Sequence, residues 1–124
     1  MQTSAPISIH VFEPECWFEA GLKRELPPER FTVSSLNGAS PQLGEILQNP
    51  ACIVCLDLSK DPREGLLILR RVPGGNRCRI VCLLPANSTD GPLLLSAGAD
   101  CYFPLPLSAH QLANWCLAVS QQMA

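Results

Sequence analysis

The side chains in this sequence that could do chemistry begin with Asp57. It closes the run Ala51-Cys52-Ile53-Val54-Cys55-Leu56-Asp57, six apolar residues that end on a carboxylate. An apolar run of strand length without polar alternation fits a strand covered on both faces, as in a parallel sheet between helices. Asp57 then stands at a carboxyl edge, where ligand crevices form in open parallel sheets. There it can reach a metal ion, a phosphate or water, or it can simply cap the following loop. Glu13-Pro14-Glu15 is a second acidic strand end, after Ile7 to Phe12. Cys52 and Cys55 have the spacing of a redox motif. On a strand, however, residues three apart face opposite ways and lie about 10 Å apart, whereas a disulfide needs Cα atoms within about 7 Å. Core packing is therefore the reading for that pair. His10 within the first strand and His110 at the start of the last helix have no evident nucleophile, and no Gly-x-Ser-x-Gly elbow occurs. Hydrolytic chemistry is not indicated, and the chain does not read as an enzyme.

The scaffold that must hold these groups is one domain, spanning 1–124 with a core from 7 to 121. A chain of 124 residues buries a single core, and 47% hydrophobic against 16% charged residues indicates a compact fold. The net charge of −2 argues against nucleic acid as the primary partner, since phosphate binding needs a concentrated basic face, and Arg70-Arg71 with Arg77 and Arg79 is too little to change that. No apolar stretch is long enough to span a membrane. Met1 to Pro6 lacks the regions of a signal peptide, which points to the cytoplasm. Seven cysteines, an odd number, five of them in or beside predicted strands, read as reduced thiols serving as small hydrophobes.

Strands are predicted at Ile7 to Phe12, Arg30 to Leu36, Ala51 to Leu56, Cys78 to Leu84 and Cys101 to Phe103. Helices are predicted between and after them. The first runs from Cys16 to Leu26 and is stopped by Pro27-Pro28. The second follows the cap Ser40-Pro41 and reaches Asn49-Pro50, and the third covers Arg63 to Val72. The fourth begins after Ser88-Thr89-Asp90 and is closed by Gly98, while Ser108 caps the last helix, through Gln121. Five strands alternating with five helices, joined by short right-handed connections, give a doubly wound three-layer αβα sandwich.

Cys55-Leu56-Asp57-Leu58 with Glu64-Gly65, and Gly98-Ala99-Asp100-Cys101-Tyr102-Phe103-Pro104-Leu105-Pro106, resemble the receiver domain of bacterial two-component response regulators. The resemblance covers Ile7 to Gln121 and implies a flavodoxin-like fold with strand order 2-1-3-4-5. It also implies a phosphoacceptor at Asp57, which a histidine kinase would load, and a Mg²⁺ site shared by Asp57 with acids after the first strand. Matched by position, Glu13 is one such acid; Pro14 or Phe12 stands where the second should be, and Glu15 is out of register. Leu105 takes the place of the phosphate-contacting lysine. Leu83 or Leu84 takes that of the Thr or Ser at the end of the fourth strand.

A leucine cannot give phosphate the charge-assisted hydrogen bond of a lysine. The resemblance therefore implies an atypical receiver, a pseudo-receiver whose output is independent of acyl phosphate, with Mg²⁺ doubtful and no other cofactor. Two alternatives remain: a phosphorylatable receiver, in which Lys60 partly replaces the lost cation, and a flavodoxin-like ligand or electron-transfer protein. Against the last, Glu13-Pro14-Glu15 would repel phosphate. The fourth helix, fifth strand and fifth helix form the usual dimer or effector face of receivers. Here that segment is rich in apolar residues: Leu93, Leu94, Leu95, Phe103, Leu105 and Leu107. Three successive leucines on one helix cannot all point inward, since neighbours are about 100° apart. A homodimer or effector contact is the expectation at that face.

Overall fold

The computed structural model describes residues 6–13, 17–36, 52–70 and 78–123. Five strands, β1 (Ile7–Phe12), β2 (Phe31–Leu36), β3 (Cys52–Asp57), β4 (Arg79–Leu84) and β5 (Cys101–Pro104), form one sheet in the order β2-β1-β3-β4-β5. All four pairings are parallel. Among the described residues there are four helices: α1 (Trp17–Glu25), α2 (Glu64–Leu69), α3 (Gly91–Ser96) and α4 (Ala109–Met123). They correspond to the first, third, fourth and fifth predicted helices. The remaining predicted helix, from Ser40-Pro41 to Asn49-Pro50, lies outside the described residues, as do the Asn37-Gly38 and Pro73-Gly74-Gly75-Asn76 turns.

The sheet separates two cores. On one side Ile9, Val11, Ile53, Cys55, Val81 and Leu83 pack against Phe18 and Leu22 of α1 and Leu112 and Cys116 of α4. On the other, Val54, Leu56, Ile80, Cys82 and Leu84 pack against Ile68 and Leu69 of α2 and Leu94 of α3. Every residue of β3 before Asp57 is therefore buried, whichever way it points. This two-sided burial is the physical cause of the unbroken apolar run.

Local chemistry sets the helix ends. In α4 the Gln111 N–H donates to Ser108 Oγ at 3.1 Å, while Gln111 Oε1 accepts the Ser108 N–H at 3.1 Å, a reciprocal capping box. At the end of α3, Gly98 has φ +123°, a conformation side chains avoid, and the chain turns there into β5. Asp100 then holds the start of β4: its Oδ2 accepts the Ile80 N–H at 2.7 Å, and its own N–H donates to the Ile80 carbonyl at 2.8 Å.

α1 and α4 touch where Gly21 meets Ala109. A Cβ built on Gly21 would clash with the Ala109 Cβ. Gly21→Ala is therefore expected to destabilise the fold by about 1–3 kcal/mol through overpacking. Adding Ala109→Gly should recover much of the loss in urea unfolding, because glycine at the first turn of a well-capped helix costs less than the clash.

One sequence expectation is overturned. Cys52 and Cys78 form a disulfide with a Cα–Cα separation of 5.0 Å. Cys52 opens β3 and Cys78 immediately precedes β4. Since Ile53 pairs with Arg79, the two cysteines stand opposite each other one step earlier, on the same face of the sheet. Cys52 and Cys55 do face opposite cores, as their spacing required. Cys55, Cys82, Cys101 and Cys116 are free thiols, three of them buried, and Cys16 lies outside the described residues. A hydrogen bond with Cys116, then burial, hold the Cys55 thiol well above its ordinary range, and burial pushes Cys82 up to about 12. These two stay protonated and behave as small hydrophobes.

Candidate functional site at the carboxyl edge of the sheet

Phe12 pairs with Leu56, so the residues that follow, Glu13 and Asp57, emerge side by side from the carboxyl ends of β1 and β3. They border a pocket of about 300 Å³, floored by Phe12, Leu56, Leu58 and Ile68 and rimmed by Ser59, Lys60, Asp61 and Glu64. Four carboxylates and one lysine therefore surround an apolar base.

Asp57 is partly exposed, and its Oδ1 accepts the Ser59 N–H at 3.0 Å. It thus caps the loop after β3 and also faces the pocket. Lys60 and Asp61 are exposed, and no described ion pair involves either.

Glu13 has a role the sequence did not disclose. It is only 5% exposed. Its Oε1 accepts the Phe18 N–H and its Oε2 the Glu19 N–H, both at 2.9 Å. The carboxylate thereby satisfies orphan amides at the first turn of α1 and lies against the positive end of the helix dipole. Burial raises the Glu13 pKa, the backbone hydrogen bonds from Phe18, Glu19 and Trp17 oppose that rise, and Asp57 adds to it. A capping carboxylate upstream of a helix has no sequence signature comparable to Ser-x-x-Gln, so the resemblance to receivers suggested a metal ligand instead.

The raised pKa has a definite sign in stability. Between the unfolded value near 4.5 and the higher folded value, the native state binds more protons than the unfolded chain. Glu13 therefore contributes stability that is fully present below pH 4.5 and lost as pH rises through its folded pKa. His10 acts oppositely: burial lowers its pKa below 6.5, so its protonation costs stability as pH falls from 6.5 toward the folded value. Urea midpoints measured from pH 7 to 4 should show a Glu13→Gln variant losing the first contribution and keeping the second.

Each Glu13 oxygen already accepts a helix amide, and no group of three or more His, Cys, Asp or Glu side chains among the described residues converges to hold a metal. Pro14 and Glu15, the other positions considered after β1, lie outside the described residues.

The leucines that the resemblance places at the two switch positions belong to the packing. Leu84 is 2% exposed and packs in the α2–α3 core, while Leu83, opposite Asp57 in register, is buried in the other core. Leu105 packs against the α1–α4 core, with its N–H donating to the Leu84 carbonyl at 2.7 Å, and does not line the pocket. No cation or hydroxyl takes the place of the missing groups at these positions.

On α3 the consecutive leucines divide as helical geometry demands. Leu94 is fully buried, whereas Leu93 and Leu95 are 51% and 41% exposed. Leu107 is also buried, and Phe103 and Leu105 are half-buried against the α1–α4 core. Of the six residues expected at an interface, Leu93 and Leu95 are therefore the ones that α3 presents outward; Leu94 and Leu107 are core. Next to them Gly91 abuts the Tyr102 ring, where a Cβ would clash, so β5 and the start of α3 are in close contact.

No family model matches this chain, and no curated protein matches it. Solved structures do. A two-component response regulator from Clostridium difficile superposes with a TM-score of 0.74 at 17% identity, covering 94% of this chain and 98% of that one. The signal receiver domain of a Luxo repressor protein from Vibrio parahaemolyticus gives 0.76 at 14% identity, covering 95% and 92%. A pilus assembly-related protein from Burkholderia pseudomallei gives 0.69 at 18% identity, covering 100% and 96%. The architecture and strand order implied by the sequence resemblance are those of the structure: this is the receiver fold.

Proposed function

We propose that this receiver-fold chain is an atypical receiver, a signalling module that acts by binding other proteins and whose output does not depend on acyl phosphate. The observation that supports this most is the fate of the switch positions. Leu84 is sealed in one core and Leu105 packs on the other, leaving Asp57 beside carboxylates without the hydroxyl and lysine that would answer a phosphoryl group. An added phosphate here would meet Glu13, Asp61 and Glu64, with Lys60 as the one lining cation among the described residues.

The test is a titration with beryllofluoride and Mg²⁺, followed by fluorescence of Trp17, which is 57% exposed at the start of α1. The expected result is no saturable change. A saturable change that Asp57→Ala abolishes would overturn the reading in favour of a phosphorylatable receiver served by a histidine kinase. That second reading is favoured by one feature, the partial exposure of Asp57 toward the pocket with Lys60 on its rim.

The docking face in this proposal is α3, β5 and α4, with Leu93 and Leu95 as its exposed apolar anchors. The partner is a second copy or an effector domain, and the setting is cytoplasmic signalling. No described helix is long and apolar enough to cross a membrane. The likeness to a pilus assembly-related protein along the whole chain suggests an assembly complex as a setting for such a module.

A further inference from the structure

We propose that the Cys52–Cys78 disulfide is a redox-sensitive staple across the seam of the sheet. The strand order places one joint, β3 against β4, between the β2-β1-β3 half and the β4-β5 half. The first half carries Asp57 and the second carries α3 with Leu93 and Leu95. Along this joint the pairs run from Ile53↔Arg79 to Asp57↔Leu83, and the Leu58 N–H closes the carboxyl end on the Leu83 carbonyl at 2.9 Å. The disulfide closes the amino end, one register step before the first pair. With the bond intact, β4 cannot leave β3 along its full length; opening is confined to a hinge at the cysteine pair. With two thiols the whole seam is free to open, and the half that bears α3 separates as a unit.

The chemistry is a two-electron exchange with a dithiol reductant. A thiolate attacks the sulfur of Cys78, the more exposed residue of the pair at 7% against 0% for Cys52. The Cys52 thiolate leaves and takes up a proton. The second thiol of the reductant then attacks the mixed disulfide, Cys78 is released as a thiol, and the reductant departs as its own disulfide. This proposal is independent of what docks on α3, since its readouts are sulfur oxidation state and backbone opening, not association.

The experiment is hydrogen exchange read by mass spectrometry on the full chain, untreated and after dithiothreitol, with iodoacetamide trapping of thiols in denaturant. The expected result is that Cys52 and Cys78 escape alkylation without reductant. Reduction should then speed exchange in residues 79–84 and 101–104 by about ten-fold or more beyond any acceleration in 7–12 and 31–36, which share only the global loss of stability. A Cys52→Ala/Cys78→Ala variant should show the fast pattern and ignore dithiothreitol. If that variant does not fold, the reduced wild type gives the same comparison with no change of side-chain volume. Alkylation of both cysteines without reductant, or equal acceleration in all four segments, would overturn the proposal.

Discussion

Leu94→Ala is expected to lower unfolding stability by about 2–5 kcal/mol, the usual loss for a fully buried leucine that leaves a cavity. Leu93→Glu and Leu95→Glu, one residue away on either side, should each change it by no more than about 0.5 kcal/mol. Leu94 is completely buried and reaches across to α2, where a Cβ on Gly65 would stand 3.0 Å from its Cδ2. Its side chain thus keys α3 to both the sheet and the neighbouring helix. Leu93 and Leu95 make no such commitment. If the apolar face of α3 mediates self-association, the two glutamate variants abolish it in sedimentation velocity and keep the fold. Leu94→Glu cannot be used for that purpose, because it places a charge in the core and is expected to unfold the chain. Equal unfolding losses for all three leucines would refute the inward and outward division.

Reducing the Cys52–Cys78 bond should cost about 3–4 kcal/mol of global stability. The estimate comes from the 26 residues separating the cysteines and the chain entropy that closing such a loop removes from the unfolded state. Urea unfolding with and without dithiothreitol measures it directly. Chemical reduction is the cleaner comparison because both sulfurs remain in place and the packing around Cys52 is not emptied. For a domain of this size the loss is a large fraction of a total in the range of about 5–15 kcal/mol. A midpoint unmoved by reductant would mean that the bond contributes nothing to folding.

The contrast between those two predictions shows what the sequence could and could not convey. Burial periodicity is local, so the strand runs, the cap Ser108, the closing glycine Gly98 and the rule that three successive leucines cannot all face inward were readable from neighbours in the chain, whereas the burial of Leu94 in particular and the return bond of Gln111 were not. The site was legible as far as Asp57, whose place at a strand end follows from the length of the apolar run. The disulfide was not, because it depends on the register between β3 and β4, and register between parallel strands is fixed by the whole sheet. The sequence offered Cys52 and Cys55 as an apparent pair; the fold instead joined Cys52 to a cysteine on the next strand. Glu13 was legible as a site residue but not as a helix cap, since the bonds to Phe18 and Glu19 depend on how the loop between β1 and α1 folds back.

The short fifth strand has a consequence for colloidal behaviour. β5 is an edge strand of four residues ending in Pro104. The Leu105 N–H turns inward to Leu84, so the backbone alternation sets the Pro104 nitrogen on the open side, where proline has no hydrogen to donate. A second chain seeking to extend the sheet there would meet a brief ladder with a missing donor. That edge is thereby protected against strand-to-strand polymerisation and fibre growth, even though β3 and β4 behind it are apolar but for Asp57 and Arg79.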